Sequence, residues 1–511
     1  MSALSQNPST ALRKNEHALP NLLLLFLLAA FAFVLMGYHP GLEDDSFYLA
    51  AIKWRLHPAL FPHDVDFFRV QFQATIFDRL IASSMRLNHL PVLWGVLLWQ
   101  MAVIFLLLYS CWRIALRCFS KPEAQWAATL LVGVLLSMPI GGIAINMADQ
   151  YLHPRGIAAA LIFAAIVAVI DRHLWLAGIL LAIAFAVHAI MASFAISFCL
   201  FLLWQLRSRQ RPNIPGITAF LIPLGWLFEP GSEAWRQAVS TRGFLFLGTW
   251  RWYEWLGVFA PLVILFALMR FLRPRAMSND SVVLVPIVTA LLYYGVFQTI
   301  AGLAIMLPRS LERLRPFEPM RYLHLLYILF FLIVGGLLGE YLLRRHVYRW
   351  LLLFVPLSAG MLFAQFRMYP DSPHLDLPFV EQQNQWVQAL DWIRWNTSVD
   401  ALFAIDPHYE TLDGEDQHGF RALAERSVLA DYEKDGGMAA RVPRLAPRWL
   451  KEVNALNGWR EFGAGDFQRL KSDFGVTWIV LSRADAEFQR ASSSAMTCPY
   501  ENQRVKVCRL Y

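Results

Sequence analysis

Three consecutive carboxylates, Glu43, Asp44 and Asp45, stand in the segment Gly41-Leu-Glu-Asp-Asp-Ser-Phe-Tyr-Leu-Ala-Ala51. Acids grouped in this way can act as general base for an acceptor hydroxyl or amine, or give oxygen ligands to a divalent cation such as Mg or Mn. The plainer alternative is that Asp45 caps a helix starting at Ser46 while its two neighbours favour the helix N-terminus. A single acid suffices for a cap, and the segment carries a triplet. A second group, Asp149, Tyr151, His153 and Arg155, puts another acid beside a cation. Asp149 can join Asp44 as base, donor-orienting group or metal ligand, unless the group is only a polar turn between helices. A third set comprises Arg155, Arg236, Arg242, Arg251, Arg309, Arg313, Arg315 and Arg321. Guanidinium forks match phosphate oxygens, which makes Arg155, Arg321, Arg315 and Arg242, with His153 beside them, candidates to bind a lipid phosphate or pyrophosphate. Pairing with Glu229, Glu233, Glu312 and Glu318 is the alternative.

These residues need elements to hold them, and the composition says which kind. The chain has 511 residues, 57% hydrophobic and 16% charged, with a mean hydropathy of +0.42, which is too apolar for an ordinary water-facing surface. Apolar runs predict spans near 21–38, 90–112, 124–145, 156–170, 174–187, 189–206, 214–228, 253–272, 281–306, 322–343 and 350–367, about eleven helices. The run at 21–38 reads as a retained first helix, because no small-residue cleavage site precedes Glu43 and many similar runs follow. The stretch from Leu174 to Leu206 requires a tight hairpin near His188.

Alternate loops fall on opposite sides. One side gathers Arg13, Lys14, Arg113, Arg117, Lys121, Arg172 and the basic residues around 207–211, 270–275 and 344–349 against five acids, whereas the other holds 14 bases against 12 acids. The first side is therefore cytoplasmic by the positive-inside rule. An odd number of spans then puts the acidic triplet and the C-terminal region outside the cell (inner) membrane. A tail over 1–20, a transmembrane region over 21–368 with a long first external loop at 38–90, and an extracytoplasmic α/β domain over 369–511 complete the predicted organisation. Residues 370–511 hold 16 Lys and Arg against 21 Asp and Glu, while 1–369 hold 29 against 17, which marks the boundary.

The first loop predicts a helix over 45–56 and an amphipathic stretch over 67–87 lying at the interface as a roof for the acids. In the C-terminal part, helices are predicted over 381–395 and 466–474, buried strands over 401–405 and 477–481, and an edge strand over 504–510. Cys498 and Cys508 can bridge in an oxidising compartment or remain thiols. Trp235, Trp250, Trp252 and Trp255 read as an interfacial belt rather than as sugar platforms. A phosphate-cradling glycine loop, a zinc-spaced Cys/His set and a serine-nucleophile motif are all missing, which speaks against an ATP-driven transporter or a metallohydrolase. No nucleic-acid partner is expected.

The layout resembles the GT-C superfamily of polytopic membrane glycosyltransferases. The resemblance rests on Glu43-Asp44-Asp45 after the first span, a long first loop with two amphipathic helices, Asp149 in the second external loop and a C-terminal α/β domain. The phrase Trp392-Ile-Arg-Trp-Asn-Thr-Ser-Val-Asp-Ala-Leu-Phe403 is similar to one common in bacterial members. The resemblance implies a mainly α transmembrane bundle and an inverting transfer of a sugar from a polyprenyl-phosphate donor to an envelope glycan, lipid or protein acceptor. Asp44 or Asp45 would deprotonate or orient the acceptor, and Arg155 and Arg321 would stabilise the departing phosphate. Metal use differs among members, with Asp44 and Asp149 the candidate ligands here. Two other classes remain open: a carrier or flippase for an anionic lipid or glycan, which should place charges mid-span, and a non-catalytic envelope assembly protein.

Overall fold

The computed structural model describes residues 18–141, 143, 145–207, 230–275, 283–412, 416, 418–489 and 496–511. The chain opens with α1 (Ala18–Met36), and the loop after it folds into α2 (Asp45–Leu56), α3 (Asp66–Gln73) and α4 (Phe77–Asn88). Helices α5 (Val92–Cys118) and α6 (Pro122–Val134) lead to a two-stranded ribbon of β1 (Pro139–Ile140) and β2 (Ile145–Asn146). Next come α7 (Pro154–Ile170), α8 (Leu174–Val187), α9 (Ala189–Arg207), α10 (Glu233–Ser240), α11 (Trp252–Arg275), α12 (Leu284–Met306), α13 (Leu323–Leu337) and α14 (Val347–Met368).

Among the described residues seven helical stretches are long and apolar enough to cross a bilayer: α1, α5, α9, α11, α12, the stretch Pro319–Leu343 around α13, and α14. Four of the expected eleven are not among these seven, for identifiable reasons. The predicted span at 214–228 lies outside the described residues. The one at 124–145 is helical only as α6, since the chain then pairs as the β1–β2 ribbon, where Pro139 has no N–H to give a helix. Helices α7 and α8 form where expected, with α8 turning into α9 at His188, but with 17 and 14 residues they are shorter than the roughly 20 of a typical span. Large apolar side chains cover the outside of the bundle, with Leu352 of α14 75% and Phe363 66% exposed. Such a surface suits lipid, a multi-pass membrane protein's solvent.

Inside the bundle one crossing is made by small residues. A Cβ on Gly335 would lie 2.8 Å from the Ala127 carbonyl oxygen, and one on Gly339 2.6 Å from that of Glu123. This Gly-xxx-Gly face lets the Pro319–Leu343 stretch rest backbone-to-backbone on α6, where dispersion replaces the missing hydrophobic drive between helices in lipid.

The C-terminal part contains α15 (Gln385–Asn396), β3 (Leu402–Ala404), α16 (Phe420–Ala424), β4 (Ser427–Val428), α17 (Lys434–Arg441), α18 (Ala446–Ala455), α19 (Ala464–Phe474), β5 (Trp478–Ser482), β6 (Met496–Glu501) and β7 (Val505–Leu510). Its sheet has the order β4-β3-β5-β7-β6, parallel through β5 and antiparallel beyond. Alternation along the strands feeds two cores: Phe403, Val480, Val505 and Val507 meet α15 and α16, while Leu402, Ile479 and Leu510 meet α19. β7, expected at the edge, is an inner strand, because β6 pairs outside it and Cys498 is disulfide-bonded to Cys508 across the two.

Backbone bonds stitch the two parts together. Tyr38 N–H donates to the His374 carbonyl at 3.0 Å, Asp376 N–H to Tyr38 at 2.8 Å, and Gly419 N–H to Gly41 at 2.7 Å. A separate apolar cluster joins Phe67 of α3, Trp235 and Val239 of α10, and Ala439, Ala440 and Trp449 from the C-terminal part. Trp235 donates its indole N–H to the Ala440 carbonyl at 2.8 Å, so it is an anchor between parts and not a belt residue.

Candidate functional site

The acid triplet is placed by a turn that its own residues close. Gly41 has φ +87°, and Glu43 also sits in the left-handed region at φ 48°. A Cβ at Gly41 would press on Leu423 Cδ2 at 2.9 Å, so the position needs glycine twice over. Asp45 Oδ2 accepts the Gly41 N–H at 2.7 Å, which ties the turn to the first residues of α2. Asp45 is buried, and burial pushes its carboxyl up to about 7. Asp44 occupies the N-cap position of α2, yet its side chain makes no capping bond. Capping therefore leaves its carboxylate unused.

That carboxylate meets α17. Lys434 Nζ lies 3.3 Å from Asp44 Oδ1 and 3.9 Å from Glu43 Oε2. The Asp44 and Glu43 side chains, though closely surrounded by protein, keep 27% and 43% of their surface uncovered. Burial works to raise the Asp44 carboxyl, but the charges of Lys434, Arg242 and Arg441 work against it, and the carboxyl is held well below the usual carboxylate range. Glu43 goes the other way, raised by burial against the pull of Lys434 and with the charges of Asp44 and Asp149 adding to the rise. The triplet thus divides into an ionised acid, a reluctant one and a buried structural one.

The second group lies alongside. Arg155 is bidentate to Asp149, with Nε 2.9 Å from Oδ2 and Nη2 bonded to Oδ1. The turn is steadied by Gln100, which donates to the Asp149 carbonyl at 2.8 Å. His153 Nδ1 accepts the Arg155 N–H at 2.9 Å, which assigns the ring proton to Nε2 in the neutral tautomer. Burial and the neighbouring Arg155 lower the imidazole's pKa, so the neutral form is the one present. Tyr48 packs edge-on to His153 at 4.7 Å, and the His188 ring is 6.4 Å away. Both His153 Nε2 and Arg155 Nη1 are buried with no hydrogen-bond partner among the described residues. Donors in that state carry a desolvation cost that a bound oxygen ligand would remove.

A third part is centred on Glu318, which begins a short helical turn before α13. Its carboxylate pairs with Arg321, three residues on, and accepts from Arg441 of α17 at 2.8 Å. Both arginines join the field around Asp44 and Tyr48. Arg242 packs on Gly437 of α17 and lies 3.7 Å from Glu433. Arg315 stands apart, over the Phe246 ring at 5.4 Å. The remaining arginines divide: Arg236 pairs with Glu312 at 3.0 Å, as the ion-pair alternative anticipates, and Arg313 lies over the Trp235 ring at 5.1 Å. Glu229 lies outside the described residues.

The structure therefore brings together Glu43, Asp44, Asp149, His153, Arg155, Arg321 and Arg242, keeps Asp45 beneath them and leaves Arg315 aside. The sequence reading missed Lys434 and Arg441, and with them the cover over the acids. That cover comes from α17, whereas the predicted roof is broken into α3 and α4, which turn Phe67, Phe68, Phe77 and Ile81 inward. No pattern around Lys434 points to Asp44; only the fold across 390 residues does. The donor set does not fit a divalent cation. Asp149 has both oxygens on Arg155, Asp44 faces an ammonium, and among the described residues no group of three or more His, Cys, Asp or Glu is placed to hold a metal.

A family model described as a domain of unknown function (DUF6798) matches residues 384–442, the stretch from the N-cap of α15 to the end of α17. It includes Lys434 and Arg441. No curated protein matches the chain.

Proposed function

We propose that the chain is an integral membrane glycosyltransferase that moves a sugar from a polyprenyl-phosphate donor to an envelope glycan, lipid or protein acceptor on the outer face of the cell (inner) membrane. The observation that carries this reading is the combination at Asp44: an ionised, partly uncovered carboxylate near two buried donors that have no partner among the described residues, His153 Nε2 and Arg155 Nη1. A carboxylate of this kind can take a proton from an acceptor hydroxyl, while unpartnered N–H groups suit an anionic oxygen.

In the proposed reaction Asp44 accepts the proton as the acceptor oxygen attacks the anomeric carbon. The bond from that carbon to the phosphate oxygen breaks on the opposite face, and the electron pair leaves with the lipid phosphate. Arg155, Arg321 and Arg441, held in fixed positions by Asp149 and Glu318, would stabilise the negative charge that gathers there without having to reorganise. Asp45 and Gly41 position the acid rather than touch substrate. The Cys498–Cys508 disulfide supports an oxidising, extracytoplasmic setting for the C-terminal part.

The test is mass spectrometry of lipid-linked and surface glycans from cells lacking the gene, complemented with the wild type or with Asp44→Asn. The expected result is a glycan lost on deletion, restored by the wild type and missing with Asp44→Asn despite normal insertion. Normal product with Asp44→Asn, or transport of an anionic lipid in liposomes with no sugar transferred, overturns the proposal.

A further inference from the structure

A cavity of about 430 Å³ lies in the C-terminal part, away from the acids, and is lined by Asp406, His408, Tyr432, Asn454, Asn457 and Arg460 among others. Its place in the sheet is informative. β3 is flanked by β4 and β5, so the chain leaves β3 to one side for β4 and returns on the other for β5. The connecting helices fall on opposite faces, α16 on one and α19 on the other. The cavity opens where Asp406 and His408 follow β3 and Tyr432 follows β4, at the carboxyl ends of the parallel strands. In open α/β sheets this switch point is where ligands enter, and the volume lies within the roughly 300–1,000 Å³ usual for small-molecule sites.

The lining narrows the ligand class. Asp406 and Glu461 contribute two carboxylates against the single guanidinium of Arg460, 3.7 Å from Asp406. This balance repels a nucleotide or other polyphosphate. One wall is aromatic: the His408 and Tyr432 rings are 4.5 Å apart, and Trp459 is fixed behind by an indole bond to Asp485 at 3.1 Å. Exposed amides of Asn454 and Asn457 face outward on the rim. Planar amide, carboxylate and guanidinium groups bond vicinal hydroxyls in pairs, and an aromatic face covers the C–H side of a sugar ring.

We infer that this cavity is a saccharide subsite for a neutral mono- or disaccharide unit, with Tyr432 and His408 as the platform and Asn454, Asn457, Asp406 and Arg460 as hydroxyl partners. The turn that forms its wall also serves the acids: Asp431 Oδ1 accepts the Lys434 N–H at 2.6 Å, so Tyr432 and Lys434 leave the same turn toward the cavity and toward Asp44. That the bound unit belongs to the acceptor glycan rests on the transferase reading; that a sugar binds does not.

The test is saturation-transfer NMR on the full-length protein in detergent with glucose, galactose, mannose, N-acetylglucosamine and their β-linked disaccharides. At least one should show transfer, weakened about tenfold or more by the surface double variant Asn454→Ala/Asn457→Ala and by Tyr432→Ala. Should Tyr432→Ala fail to fold, the double variant, confined to exposed amides, still decides. The inference is overturned if no sugar in the panel binds, or if the binder is indifferent to the double variant. Binding that survives while Asp44→Asn keeps making glycan would remove the transferase reading and leave the subsite standing.

Discussion

Replacing Arg421 should loosen the joint that brings the C-terminal cations to the acids. Its guanidinium is buried and donates to Asp64 of the first loop and to both oxygens of Asp435, at 3.0 and 2.9 Å. Both acids are fully buried, and Asp435 is the second residue of α17, beside Lys434. Arg421→Met removes the charge that, among the described residues, is alone in bonding both carboxylates. Asp64 keeps the Val428 N–H at 3.1 Å and Asp435 keeps the Asp431 N–H at 3.0 Å, so neither is left wholly unbonded. Breaking a buried pair from one side costs about 3–5 kcal/mol, and the residual backbone bonds argue for the lower part of that range. For a unit of this size a loss of about 3 kcal/mol lowers the melting temperature by roughly 6–12 °C. The assay is thermal unfolding of purified protein in detergent, with limited proteolysis to report release of α17. A further arm separates charge from packing: Arg421→Met/Asp64→Asn/Asp435→Asn should recover much of the loss, because neutral amides remove the uncompensated charge and keep an oxygen for the Val428 and Asp431 N–H groups. A drop under about 2 °C for Arg421→Met would refute the reasoning, since it would mean the two carboxylates never depended on their partner.

Three more predictions follow from the same geometry. Lys434→Met removes the nearest cation from Asp44, so the carboxyl titrates higher and the acid limb of product formation moves to higher pH; an unmoved limb in pH-resolved rates would count against Asp44 as base. Asp45 has its folded carboxyl raised to about 7 against an unfolded value near 4, so its contribution is full below about pH 4 and is lost as pH rises through 7. Asp45→Asn keeps an acceptor for the Gly41 N–H and should narrow the difference in unfolding free energy between pH 5 and pH 8 by up to about 3 kcal/mol, read as a smaller gap between the two melting temperatures; a wild-type-like gap would sink that account. Opening the Cys498–Cys508 bridge with Cys508→Ser should cost about 3 kcal/mol from the ten-residue separation it closes, read as a melting shift matching that of the wild type under reductant.

Much of the helical layout was legible because apolar runs and capping chemistry are local. Helix α2 starts and ends where the pattern places it, and β3, β5 and α19 fall within a residue or two of expectation. What was not legible depends on partners far away in sequence. The alternation of 504–510 announces a strand but not its neighbours, so β7 reads as an edge until β6 pairs outside it. Asp45 looks like a cap because short acids before a helix usually are, and only the Gly41 turn reveals its other use. Arg315 and Arg321 are alike in sequence, yet Pro316, Glu318 and the helical turn between them send one to Phe246 and the other to Glu318. Lys434 carries no local mark at all.

The charge distribution at the acids is itself an argument about what they are for. Glu43, Asp44, Asp149, Glu318 and Glu433 stand against Arg155, Arg242, Arg321, Lys434 and Arg441, so these groups alone are balanced when all are ionised. A balanced buried network confers little stability over an apolar one of the same volume, so stability does not account for it. Nor is it fully satisfied, because among the described residues His153 Nε2 and Arg155 Nη1 have no partner. An anionic ligand would satisfy those donors but upset the balance by its own charge. Glu43 is the group placed to absorb the difference: it is 43% exposed, already raised by burial, and only 3.9 Å from the ammonium it shares with Asp44. A phosphate arriving beside Asp44 would push the Glu43 carboxyl further up and favour its protonation, leaving Lys434 to Asp44 and the ligand. On this view the triplet works because its members differ: Asp45 holds the turn, Asp44 keeps its charge, and Glu43 can give up its own.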